Sequence, residues 1–209
     1  HRIQDVGGCA GIWEMGEIPL LVDETGEAIK KLHPAAVIDA ILAKKNLGTN
    51  RAMAPLTIAL GPGFLAGRDV DYVVETQRGH DLGRIVEEGW AAPNTGIPGM
   101  IGGYGKERVI HSPAAGTIHS RAKISDLVEK DQVIAVISTE KNREIPVFAT
   151  ISGVLRGMIR EEYQVSEGMK IADIDPRKEQ KKNCNTIYDK ARCIAGTVVE
   201  ILLSEGIVP

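Results

Sequence analysis

Along the first half of the chain the apolar residues come in short continuous runs instead of long helical stripes. Residues 20–22, 36–41, 56–60 and 72–74 form such runs, and each gives way at once to polar, turn-forming sequence. Uninterrupted runs of this length, bounded by Gly, Asn and Asp, read as strands buried on both faces, which is the habit of a parallel sheet covered by other elements. Only residues 11–15 have a helical look, and the other connections are short or weak by pattern. The expectation for residues 1–105 is therefore an α/β, Rossmann-like domain with a mostly parallel sheet and Gly-rich loops.

From about Lys106 the pattern changes to short β-type segments that repeat with an offset of 37 residues: Gly116 with Gly153, Ile118 with Leu155, Val128 with Val165, Asp131 with Gly168, Ile134 with Ile171, Ala135 with Ala172 and Ile137 with Ile174. Neither half can bury an apolar face alone, so the two are expected to close on each other about a pseudo-twofold as a flattened all-β barrel over residues 106–177. Residues 112–116 and 125–134 resemble the barrel-sandwich hybrid of biotinyl and lipoyl carrier domains. Carriers modify a lysine at the hairpin tip, here residues 138–144, and Lys141 stands near that place. Its neighbours are Glu140 and Asn142, where the biotinyl pattern has Met on both sides. A solvated surface lysine is the preferred reading, and a carrier modified at Lys141 the less favoured one.

Residues 178–182 form a charged linker, and Thr186 with Asp189 three residues on fits a capping box. Ile187, Ala191, Ile194, Ala195, Val198, Val199 and Leu202 then recur at helical spacing. Residues 178–209 are thus expected to be a linker and a C-terminal helix that packs back on the first domain.

Composition narrows the function classes. A net charge of -3 gives no basic footprint for nucleic acid, and the charged fraction of 25% is that of an ordinary globular protein. No apolar run reaches membrane-span length and the start has no signal-peptide core, so the cytoplasm is the expected compartment. Cys9, Cys184 and Cys193 are odd in number and lack CxxC spacing, which argues against a disulfide framework and a zinc site. The chain opens without Met and reads like the interior of a longer protein.

Candidate chemistry lies in the loops. Eleven of the 23 glycines fall between Gly61 and Gly105, where a backbone that turns sharply or approaches a ligand needs them. Lys44, Arg78 and Arg84 supply positive charge, Asn46, Thr49, Asn94 and Thr95 supply hydrogen-bonding groups, and the set suits a phosphate or pyrophosphate. His80 beside Asp81, with Glu75 five residues earlier, could serve as acid or base, but no nucleophile is paired with it and there is no metal motif. The competing reading is that Glu75, Arg78 and Arg84 are ion pairs fixing the loops while His80 caps a helix starting near Asp81. Neither a Walker pattern nor a complete GxGxxG is present.

Taken in order, residues 39–49 (DAILAKKNLGT), 61–64 (GPGF), 75–84 (ETQRGHDLGR), 94–99 (NTGIPG), 153–157 (GVLRG), 173–177 (DIDPR) and 189–192 (DKAR) resemble the YqeB family across nearly the whole chain. That family is named as accessory proteins of selenium-dependent molybdenum hydroxylases. Its members begin with a Gly-rich segment of the dinucleotide-binding type, which has no counterpart ahead of His1. The resemblance implies a maturation factor that binds the molybdenum cofactor (a molybdopterin-type dinucleotide), a selenium or sulfur donor, or the hydroxylase itself, with self-association left open. The alternatives are an enzyme acting on a nucleotide-like phosphorylated ligand at the Lys44 to Arg84 loops, and the carrier modified at Lys141. The resemblance transfers no catalytic residue.

Overall fold

The computed structural model describes residues 1–140 and 143–207, arranged as two compact units: residues 1–94 with 189–209, and residues 95–188. The first unit begins with β1 (Arg2–Ile3), α1 (Cys9–Glu14) and β2 (Leu20–Leu21), the two strands pairing in parallel. α2 (Glu27–Leu32) and β3 (Ala36–Asp39) follow, then β4 (Leu56–Leu60), β5 (Leu65–Ala66), β6 (Tyr72–Val74), β7 (Ile85–Val86) and β8 (Gly89–Trp90). The main sheet has the order β3-β4-β6-β7. β3, β4 and β6 run parallel, with Ala36 opposite Leu56 and Ile58 opposite Tyr72, whereas β7 is antiparallel, Val74 opposite Ile85. β5 and β8 form a separate antiparallel pair.

Alternation along β4 and β6 explains why these strands read as unbroken apolar runs. Leu56, Ile58 and Val74 point to one side, where they meet Ile194, Val198, Ile201 and Leu202 of the C-terminal helix α3 (Asp189–Ser204). Ala59 and Val73 point to the other and pack with Phe64, Ala66, Val70 and Ala91. Both faces are buried, so the strands are almost wholly apolar; the exception, Thr57, spends its hydroxyl on Asp71. α3 presents a narrower stripe than its spacing suggested: Ile201 is buried, whereas Ala195 and Val199 are exposed and Ile187 lies outside the helix. In place of the expected capping box, α3 starts at Asp189 itself, and the Thr186 N–H and hydroxyl both donate to the Asn183 carbonyl.

The second unit carries β9 (Val109–His111), β10 (Gly116–Ser120), β11 (Leu127–Val128), β12 (Val133–Ser138), β13 (Glu144–Phe148), β14 (Gly153–Met158), β15 (Gln164–Val165) and β16 (Lys170–Asp175). They form two four-stranded antiparallel sheets, β13-β12-β10-β15 and β11-β14-β16-β9, over one core. The 37-residue repeat is visible in the pairing: Gly116 lies opposite Val165, and Gly153 lies opposite Val128. Ile118 and Leu155, Ile134 and Ile171, and Ile137 and Ile174 fill the shared core in equivalent pairs. Asp131 and Gly168 both adopt left-handed backbone, φ 66° and 77°.

The fold class expected from the sequence is corrected by these ladders. Among the strands of the described residues only β1–β2, β3–β4 and β4–β6 pair in parallel, beside an isolated parallel bridge between Ala66 and Val70, and the remaining strand pairings are antiparallel. Three short or moderate α-helices accompany them, so the chain is a mostly antiparallel, mixed-sheet protein with few helices rather than a parallel α/β domain joined to a biotinyl/lipoyl-like barrel. The physical reason in the first unit is the turn at residues 75–84, which folds back as a hairpin closed by backbone bonds between Glu75 and residues 83 and 84 and so sets β7 antiparallel to β6. In the second unit the repeat halves resolve into two separate sheets. No helix among the described residues is long and apolar enough to cross a membrane.

Candidate functional site

The loops that leave the carboxyl ends of β3, β4 and β6 gather on one edge of the main sheet, where open α/β sheets bind ligands. The loop after β3 is fixed from within. Thr49 Oγ1 donates to the buried Asp39 carboxylate at 2.6 Å, and Asn46 accepts from the Gly48 N–H at 2.7 Å while its amide donates to the Thr49 carbonyl at 2.8 Å. Asn46 and Thr49 are thus occupied in shaping the loop. That shape holds Leu42 and Lys44 in left-handed backbone, φ 59° and 64°, a strain of order 1 kcal/mol or more each that concentrates at ligand sites. The loop after β4 presses on it: an added Cβ at Gly63, φ +111°, would lie 2.6 Å from the Lys45 Cα. Only glycine permits that approach.

Glu75, just past β6, is buried, and its carboxylate is used on both sides. Oε1 accepts from the Gln77 N–H and Oε2 from the Ala92 N–H, each at 2.6 Å. The Glu75 N–H donates to the Arg84 carbonyl and the Gly83 N–H to the Glu75 carbonyl, both at 2.9 Å, closing loop 75–84. Glu75 is thus a clamp for two backbone amides.

α3 supplies the other wall. Thr197 Oγ1 donates to the Gly83 carbonyl at 2.7 Å, and the Cys193 thiol lies 3.4 Å from the Leu82 carbonyl. Arg78 pairs with Asp189 at the first turn of the helix. The next residue, Lys190, is half-buried, and its ammonium is held below the ordinary 10.5 first by burial, then by the positive charges of Lys44 and Arg78, with Glu75 opposing. Lys190 thus feels the charges of Lys44, Arg78 and Glu75, with Arg78 held at the neighbouring Asp189.

The remaining expected residues are placed as follows. Arg84 pairs with Asp81 at 3.0 Å and lines an open groove of about 460 Å³ that Glu75 also borders, together with Asp81, Glu87, Glu88 and Trp90, an acid-rich surface. His80 is exposed on a turn, and no helix starts at Asp81, so it caps nothing. Asn94, exposed, closes the first unit in sequence, and Thr95 opens the second, where its hydroxyl accepts from the Ile97 N–H at 3.2 Å. Lys141 lies outside the described residues. Among the described residues no group of three or more His, Cys, Asp or Glu side chains could hold a metal ion, and the three cysteines are free.

Sequence comparison with curated proteins matches the chain over 190 residues, 91% of its length, to the uncharacterized protein YqeB of Escherichia coli strain K12, at 47% identity. The chain belongs to the YqeB family. It spans 34% of the length of that YqeB relative. No family model matches the chain. Among solved structures it shows partial likeness to a succinylglutamate desuccinylase/aspartoacylase from Rhodobacter sphaeroides, at 11% identity and TM-score 0.30, covering 32% of this chain and 21% of that one. An aspartoacylase family protein from Mesorhizobium loti gives 20% identity and TM-score 0.30 over 34% and 25%. The ectoine utilization protein EutE (DoeB) from Ruegeria pomeroyi, product-bound, gives 14% identity and TM-score 0.28 over 33% and 22%.

For a YqeB family member the residue that sequence reading missed is Lys190. It stands in the 189–192 motif that carries the family resemblance, yet it lies far along the chain from Lys44 and Arg78. Only the return of α3 to the first unit makes the three neighbours. The one available signal was the apolar stripe that predicts this helix to pack back.

Proposed function

We propose that this chain is the ligand-holding part of an accessory factor for the maturation of selenium-dependent molybdenum hydroxylases, acting in the cytoplasm. Its ligand is a phosphorylated one of pterin-nucleotide type, and its protein partner is the hydroxylase. What supports this reading is that Lys190, beside the Arg78–Asp189 pair, feels the positive charges of Lys44 and Arg78, which lie on loops following the parallel strands β3 and β6. Two carboxylates, Glu75 and Asp189, stand against three cations there, so the cluster keeps an excess of positive charge for an anion to neutralise. Binding is favoured over catalysis because Glu75 already holds two backbone amides and His80 has no nucleophile beside it.

The test is calorimetric titration of the protein with inorganic pyrophosphate and with a pterin dinucleotide. Lys44→Gln and Lys190→Gln should each weaken binding by about tenfold, the loss of one good charge-assisted contact, while the melting curve stays in place. Equal affinity in wild type and both variants would sink the site. Hydroxylase activity in cells carrying the Lys190→Gln chain should fall in parallel, and unchanged hydroxylase activity would sink the maturation role.

A further inference from the structure

β1 and β2 form a two-residue parallel ladder, Arg2 opposite Leu20 and Ile3 opposite Leu21, and parallel ladders are ordinarily covered on both faces. Around β2 burial alternates residue by residue. Pro19, Leu21 and Asp23 are half-buried, whereas Ile18, Leu20 and Val22 are exposed at 84%, 64% and 68%. This is the period of an extended segment that faces the protein on one side, but here the solvent side is wholly apolar. Isolated exposed hydrophobics are ordinary, while three consecutive same-side positions make a contiguous strip of the kind that marks an interface. α1, which joins the two strands, leaves Trp13 and Met15 exposed at 52% and 58% as well.

We infer that the face formed by Ile18, Leu20 and Val22 docks the part of the YqeB polypeptide that lies outside the segment matched by this chain. About two thirds of the E. coli relative is in that position, since the match spans 34% of it. The strip carries no charge, so its occupant is an apolar helix or strand face and not a charged surface. The unpaired edges of so short a ladder offer that occupant backbone hydrogen bonds besides apolar contact. This inference is independent of the anion site and survives its failure.

Cysteine accessibility decides it. Leu20→Cys is made in this chain, and the aligned substitution in the full-length E. coli relative. Maleimide labelling at that position is then followed by peptide mapping, which separates it from Cys9, Cys184 and Cys193. The expected result is fast labelling in the chain and labelling slowed at least about tenfold in the full-length relative, as for a group reached only by local opening. Equal rates would overturn the inference. So would labelling of this chain that slows as its own concentration rises, which would give the strip to a second copy. Hydrogen exchange over residues 18–22 of the two unsubstituted proteins makes the same comparison if the Cys variant is destabilised.

Discussion

Arg78 sets both terminal nitrogens of its guanidinium on the carboxylate of Asp189, Nη1 on Oδ2 at 2.7 Å and Nη2 on Oδ1 at 2.8 Å. A forked pair of this kind fixes direction as well as distance, and it joins loop 75–84 to the first residue of α3. The two side chains are 53% and 72% exposed, where ion pairs add little to stability. Asp189→Asn is therefore expected to leave the melting temperature nearly unchanged and to tighten pyrophosphate binding, because it removes the carboxylate that competes for Arg78. Titration beside melting curves checks this; weaker binding would mean that Asp189 serves chiefly to aim the guanidinium.

Binding at the cluster should depend on pH through Lys190. An anion needs the ammonium, so affinity falls as pH rises through the lowered pKa of Lys190, and Lys190→Arg, which stays charged, extends binding to higher pH. Stability without ligand runs the other way. Between the lowered folded pKa and 10.5 the native state holds fewer protons than the unfolded chain, so the protein gains stability as pH rises across that window. Titrations and denaturant melts over the alkaline range measure both slopes, which should have opposite signs.

Asp175 anchors the end of β16 without exposure to water. Burial opposes its charge, but the Arg177 N–H at 3.0 Å and Nε at 2.9 Å on Oδ1, with Arg177 Nη2 at 2.8 Å and Arg156 Nη1 at 3.1 Å on Oδ2, outweigh it and pull the pKa to about 2 from 3.8. The depressed value contributes about 2 kcal/mol above pH 4, lost as pH falls through about 2. Urea melts at pH 6 and pH 2.5 should show that loss in wild type, and Asp175→Asn should be weaker at pH 6 with a flatter acid slope.

The repeat gives a paired prediction. A Cβ on Gly116 would strike the Ser138 carbonyl and Ile137, and one on Gly153 would strike the Asp175 carbonyl and Ile174, contacts displaced by the same 37 residues. Gly153→Ala should cost about 2–4 kcal/mol, since the obstacle is backbone inside a paired sheet. Gly157→Ala in the same strand meets only the Asp173 Cβ at 3.7 Å and should fall within about 0.5 kcal/mol of wild type. Denaturant midpoints of the two variants separate packing from strand propensity.

Strand positions in the first unit were legible because β4 and β6 are buried on both faces, so nearly every position, Thr57 apart, is apolar. Direction was not: nothing in Ile85 and Val86 tells that the ten residues before them turn back. The repeat was legible wherever an equivalent pair performs an equivalent task, as Asp131 and Gly168 do, but sequence similarity between halves does not reveal how strands divide between sheets. Of the candidate site, Lys44 and Arg78 announced themselves as cations among glycines. Glu75 suggested an acid or base because its two amide partners, at 77 and 92, come into reach only when the loop closes. Asn46 and Thr49 were polar for the sake of their own loop.

The path of the chain through the two units imposes an order of events. The sheet of the first unit is complete in sequence by residue 94, yet the helix that covers Leu56, Ile58 and Val74 is not translated until residues 189–204. During synthesis the second unit, uninterrupted in sequence, emerges whole in between and can fold first. The nascent first unit meanwhile waits with one face of its sheet wet, and Lys190 reaches the loops that carry Lys44 and Arg78 only after the second unit has emerged.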